Sequence, residues 1–202
     1  MPTRTLLLVT LLLVLWPLAG HALDYDEAIL GDLSSEPGAP TAITLDRGSN
    51  LVIGNVNGLS DVRDYLTFTL RDGDVLSELR QIEWVDADLP FLPGNRGYHA
   101  LISGPTSLIP SATNVGDFLG GDHMDQLESG TDLLAILAGA PLAGTGFATP
   151  LGAGTYSYHV QQTGPNGNNY ILEFVVIPEP STALLLGGGL IALARRRREA
   201  VA

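Results

Sequence analysis

Two segments near the C-terminal end decide the fold class: Thr155-Tyr-Ser-Tyr-His-Val-Gln161 and Asn169-Tyr-Ile-Leu-Glu-Phe-Val-Val176, joined through Thr163-Gly-Pro-Asn-Gly-Asn168. Both alternate with a period of two. In the first, Tyr156, Tyr158 and Val160 share one face and Ser157, His159 and Gln161 the other. In the second, Tyr170, Leu172, Phe174 and Val176 fall together. Successive side chains of a strand point to opposite faces, so each segment reads as a half-buried strand with its polar face, His159 included, turned outward. The turn formers between them predict a hairpin loop.

The same pattern extends upstream. Tyr65 to Leu70 places Leu66, Phe68 and Leu70 against Tyr65, Thr67 and Thr69. Further strands are expected at 42–45, 50–56, 75–85 and 98–102. The run 75–85 breaks strict alternation, which predicts a bulge or bend. Residues 133–138 form an apolar run that suits either a strand or a short helix. The Gly- and Asp-containing stretch 103–131 reads as a loop-rich excursion. About eight strands and no long helical period predict an all-β fold, an antiparallel two-sheet, jelly-roll-like sandwich.

Both ends of the chain read as targeting segments. Met1 to Ala22 has a basic start at Arg4, an apolar run from Leu6 to Leu15, and small residues at Gly20 and Ala22 before acidic Asp24, Asp26 and Glu27. This is the layout of a signal peptide cut after Ala22 and passed through the Sec translocon; an uncleaved anchor is the alternative. At the other end, Pro178-Glu179-Pro180 precedes the apolar span Ala183–Ala194 and then Arg195, Arg196, Arg197 and Arg198. Twelve residues make about 18 Å of helix against a hydrocarbon core of about 30 Å, short for a permanent span. The arginines stay on the cytoplasmic side and leave the prolines outside, where they hold Glu179 extended. This tail resembles the PEP-CTERM sorting signal of exported bacterial proteins. The resemblance implies recognition and cleavage by a membrane protease-transpeptidase, an exosortase. It also implies transient inner-membrane anchoring and delivery to the cell surface or extracellular matrix, in bacteria that make extracellular polysaccharide. An ordinary C-terminal anchor is the alternative. The chain thus divides into 1–22, an exported domain 23–177, and the sorting tail 178–202.

Removing the ends exposes a strongly acidic domain. It keeps five arginines, no lysine and twenty of the 22 acidic residues, a net charge near −15. Such a surface repels nucleic acid and anionic membranes, so no nucleic-acid partner is expected. With no cysteine there is neither a disulfide framework nor a thiol nucleophile. Gly31-Asp-Leu-Ser34, Asp61-Val-Arg-Asp64-Tyr-Leu-Thr-Phe68 and Gly154-Thr-Tyr156, in that order, are similar to bacterial pre-peptidase C-terminal domains. That resemblance implies a jelly-roll-like, non-catalytic accessory module, in some cases binding calcium or polymer.

Carboxylates cluster at Asp61 with Asp64, at Asp72 with Asp74, and at Asp117, Asp122, Asp125 and Glu128. Hard oxygen ligands in loops suit calcium, and Asp61 with Asp64, at a strand entrance, is the pair favoured by the resemblance; Asx turns account equally for isolated aspartates. His99, His123 and His159 lack metal-ligand spacing, and no nucleophile elbow or phosphate loop occurs. Trp84, Phe91 and Tyr98 would serve a sugar-stacking patch if exposed, and the core if not. The reading that results is an exported, non-enzymatic surface or matrix protein, structural or adhesive among extracellular polysaccharide. A carbohydrate-binding module is the alternative, and a hydrolase would need two carboxylates, or a serine and histidine, converging in a cleft.

Overall fold

A computed structural model describes residues 25–57, 60–86, 96–107, 118–164 and 167–179. The signal-peptide segment, Phe91, Asp117, Pro180, the apolar span 183–194 and Arg195–Arg198 lie outside the described residues. Among the described residues nine strands follow in order: β1 (Tyr25–Asp26), β2 (Thr41–Ala42), β3 (Gly48–Val56), β4 (Arg63–Leu70), β5 (Asp74–Asp86), β6 (Gly97–Ser103), β7 (Phe118–Met124), β8 (Gly154–Gln162) and β9 (Asn168–Pro178). Two short helices join them, α1 (Glu27–Leu30) and α2 (Leu133–Ala138), with a 3-10 turn at Gln126–Glu128.

The strands build the expected sandwich. One sheet has the order β1-β3-β9-β5 and the other β2-β4-β8-β6-β7. The long pairings are antiparallel, while the two-residue strands β1 and β2 pair parallel with β3 and β4. The inward rows meet as the alternation requires: Phe68, Tyr158, Phe174, Leu172 and Val160 are buried between the sheets. Phe174 packs its ring edge-on to Phe68 at 5.5 Å and to Tyr158 at 5.9 Å. The irregularity expected in 75–85 is present as two register shifts in β5, at Leu76/Glu78 and Gln81/Glu83.

Three expectations need correction. First, β8 and β9 are not a hairpin. β8 pairs with β4 and β6, whereas β9 pairs with β3 and β5. The connection therefore arches from one sheet to the other. A run of turn formers reverses the chain in either case; the aromatic inner faces of β8 and β9 are satisfied here by packing across the core. Second, His159 is not on a solvated face: it is 2% exposed. Tyr65, Tyr98 and Phe118 surround it, with ring centroids at 5.4, 5.5 and 6.4 Å, on the outer face of the five-stranded sheet. Third, 103–131 is not only loop, because it contains β7. Gly120 and Gly121 hide that strand from a propensity reading, and the packing shows why they are there.

Residues 133–138 take the helical option. Asp132 caps α2, its Oδ1 accepting from the Leu134 N–H at 3.0 Å and also from the Leu79 N–H of β5 at 3.1 Å. Leu133, Leu134 and Leu137 are fully buried in the main core. The helix C-terminus lies directly on β7, so that a Cβ on Gly120 would overlap the Leu137 carbonyl, and one on Gly121 the Tyr98 hydroxyl. The obstacle at Gly120 is backbone that cannot rotate aside, which limits that position to glycine, while at Gly121 the Tyr98 side chain would have to shift. Gly120→Ala is expected to destabilise the domain by about 3 kcal/mol through overpacking. In a thermal melt that is a loss of roughly 6–12 °C for a domain of this size, whereas Gly152→Ala, with open space around it, should be nearly silent.

Candidate metal centre and sorting motif

The acidic start of the exported domain folds back onto the sandwich. β1 pairs Tyr25 with Val52 and Asp26 with Ile53. Asp26 then caps α1, its side chain accepting from the Ala28 N–H at 2.9 Å. This geometry turns Glu27 inward. Its Oε1 accepts from the Leu33 N–H at 3.0 Å and its Oε2 from the Asn55 N–H at 2.7 Å, which fastens the 27–33 strap to β3. Asp64, the second residue of β4, is 1% exposed. Its Oδ2 accepts from the Tyr170 hydroxyl at 2.7 Å, and its Oδ1 is buried without a hydrogen-bond partner.

One carboxylate oxygen from each of Glu27, Asp32 and Asp64 lies within 4.8 Å of the others. Asp61 stands beside them at the bridge between Asn57 and Asp61, its Oδ1 likewise buried and unpartnered. Among the described residues, none of the ion pairs involves any of these four.

The electrostatics express that crowding. Burial pushes the Asp64 carboxyl up to about 9, with the charges of Glu27, Asp61 and Asp32 acting in the same direction against the Tyr170 hydrogen bond. Burial pushes Glu27 up to about 7, opposed by its two backbone hydrogen bonds and reinforced by Asp32 and Asp61. Asp61 rises to about 6 through burial and then Asp32. Several acids that resist ionisation together keep their protons in the absence of a counter-charge, and a cation among them would displace those protons. The donor set is all hard oxygen, and a buried carboxylate oxygen with no partner is left to supply a ligand, so the residues fit calcium better than a soft metal.

Of the two aspartates singled out from sequence, Asp64 is thus at the centre and Asp61 at its side. Glu27 and Asp32 were missed. Their signal was the short acid-rich stretch after residue 22, which also serves the reading of a cleavage site. Of the other acidic residues singled out from sequence, Asp74, Asp122, Asp125 and Glu128 are engaged elsewhere and Asp72 is exposed. Asp74 pairs with Arg47 at 2.6 Å. Asp125 and Glu128 form a capping box on the 3-10 turn, and Asp122 accepts from the His123 N–H.

His99 contacts the Tyr158 hydroxyl through Nδ1 at 2.7 Å, and burial holds its imidazole down to about 3, with His159 and His123 adding to the effect. Trp84 is 1% exposed and stacks on Tyr170 with ring centroids 6.3 Å apart. It belongs to the core, so the exposed sugar platform loses its anchor.

At the opposite end of β9 the sorting residues begin. Pro178 is the last residue of that strand, opposite Asp74, and the Glu179 N–H donates to the Gly73 carbonyl at 2.8 Å. Among the described residues no helix is long and apolar enough to cross a membrane.

The fold and its continuation define an exported β-sandwich that carries its own address. The PEP-CTERM protein-sorting motif matches residues 176–198, which covers the Pro-Glu-Pro, the apolar span and the arginines. The chain therefore carries a PEP-CTERM sorting signal, which marks it for export and for processing by an exosortase. No curated protein and no solved structure matches the chain.

Proposed function

We propose that the chain is a structural or adhesive component of the cell surface or extracellular matrix, released there by exosortase processing. In this reading it has no enzymatic activity of its own, it works beside extracellular polysaccharide, and calcium ties its N-terminal strap to the sandwich. The observation that carries the proposal is the sorting motif at 176–198, continuous with the central strand of one sheet. The cation assignment is supported by the convergence of Glu27, Asp32 and Asp64 and by the unpartnered Asp64 oxygen. Calcium would be held by these three with Asp61 beside them, where it would neutralise their charge and fix residues 27–32 against β3 and β4. A lysine-free surface of net charge near −15 keeps such a protein dispersed and monomeric unless divalent cations bridge it.

Processing is tested with a C-terminally tagged chain co-expressed with its exosortase. The tag, downstream of Arg198, is expected to be lost. The double variant Pro178→Ala/Pro180→Ala is expected to keep it, because the segment loses its fixed extended shape. Equal processing of both forms sinks the sorting reading. The matrix assignment is tested by fractionation: recovery of the exported domain in the polysaccharide-bound fraction supports it. Recovery only as free protein in the medium, or only in the inner membrane, counts against it.

A further inference from the structure

The junction between sandwich and sorting motif contains no linker. Pairing of β9 with β3 ends at Gly48 opposite Val176, but pairing with β5 continues to Asp74 opposite Pro178. The Glu179 N–H adds one more bond, to Gly73. Residues 177–179 are therefore paired on one flank and have run past the end of β3 on the other. Strand backbone groups alternate sides, so a Glu179 N–H aimed at Gly73 turns the Pro178 nitrogen to the open flank. There the missing N–H leaves no ladder bond unmade, which explains how a proline closes a strand flanked on both sides further back.

The supporting turn is rigid. Gly73 sits at φ 79, in the left-handed region, the Asp74 N–H donates to the Arg71 carbonyl at 3.0 Å, and Arg47 holds the buried Asp74 carboxylate at 2.6 Å. Ile177, Pro178 and Glu179 all expose their side chains.

We propose that the sandwich presents its own sorting motif: the 71–74 turn holds Pro178 and Glu179 extended and exposed, so that the exosortase meets a segment already ordered by the fold. This rests on the sorting reading above and adds the way in which the protease meets its substrate. A protease binds its substrate as an extended segment, and Pro178, with no N–H to satisfy, holds that shape without a partner on its free edge. Residues ordered before the encounter need not be ordered by it.

The test uses the full tagged chain with its exosortase and follows tail removal in time. Gly-Ser-Gly-Ser inserted between Ile177 and Pro178 leaves residues 178–198 unchanged but detaches them from the turn. The same insertion between Pro180 and Ser181 adds equal length while keeping Pro178 and Glu179 docked. The first is expected to slow processing at least about tenfold, the loss of two pre-ordered residues, and the second to change it by less than about twofold. Unchanged or faster processing of the first insertion overturns presentation by the fold. Equal slowing by both also overturns it, since distance from the membrane then suffices. If the wild-type chain is not processed at all, the sorting reading falls and this inference with it. If the wild type is processed and the first insertion makes no difference, only this inference falls.

Discussion

Calcium is expected to raise the melting temperature of the exported domain at pH 8, and chelation to remove the gain. A ligand that binds only the folded state at 100 times its dissociation constant stabilises it by about 2.7 kcal/mol. For a domain of this size that is roughly 5–11 °C. The sign of the pH dependence follows from the carboxyls. In chelator, the folded-state values of Glu27, Asp61 and Asp64 stand at about 7, 6 and 9, above the range of about 4 that such groups have in an unfolded chain. At these three sites the folded state then holds protons more tightly than the unfolded state, so their contribution to stability is fully present below about pH 4 and is lost as pH rises toward 9. Calcium competes with those protons, and its stabilising effect should therefore grow over the same interval. Asp64→Asn separates the causes: a buried carboxyl that must take up a proton to fold at pH 8 in chelator is replaced by a neutral group, while the Tyr170 hydroxyl keeps an oxygen to bond. The variant is expected to melt no lower than wild type in chelator at pH 8 and to gain nothing from calcium. A calcium shift that survives in Asp64→Asn, or is absent in wild type, removes the cation assignment.

The second large effect is expected at Trp84. Its indole is buried, lies over Gly97, where a Cβ would overlap the ring, and stacks on Tyr170. Trp84→Ala leaves a cavity in the main core and is expected to lower stability by about 3–5 kcal/mol. The urea midpoint followed by circular dichroism reads this directly, and Trp84→Phe should recover part of it. The damage should not stop at the core. Tyr170 is the group that holds the Asp64 Oδ2, so loss of its stacking partner should also weaken calcium stabilisation. Wild-type fluorescence offers a simple check: Trp84 is the one tryptophan of the exported domain, and its emission should be blue-shifted in the fold. Red emission in the folded protein, or an alanine variant as stable as wild type, would contradict the packing.

What could be read from residues alone was the part encoded by local period. Leu66, Phe68 and Leu70, or Tyr170, Leu172, Phe174 and Val176, announce a strand and its buried face because neighbours two apart share one side. The sandwich followed from counting such segments. What escaped was non-local. Nothing in Thr163–Asn168 says which sheet receives the next strand, since a chain reversal is common to a hairpin and an arch. β7 escaped because its glycines answer to Leu137 and Tyr98, residues supplied by other elements. His159 has an outward phase, but the outer face is itself covered by Tyr65, Tyr98 and Phe118. The candidate metal centre was half legible for the same reason. Asp61 and Asp64 are three residues apart and visible together, while Glu27 and Asp32 reach them only because β1 pairs with β3.

The position of β9 has a bearing on the order of events during export. Among the described residues it is the last strand, and it lies between β3 and β5, which do not pair with each other. Until residues 168–178 have crossed, the four-stranded sheet has no middle, and its flanks have no edge to zip onto. For a chain exported N-terminus first, that side of the sandwich would then stay incomplete until almost the moment its sorting tail arrives. Closure of the sheet and arrival of the tail at the membrane become nearly one event, separated by a few residues of chain.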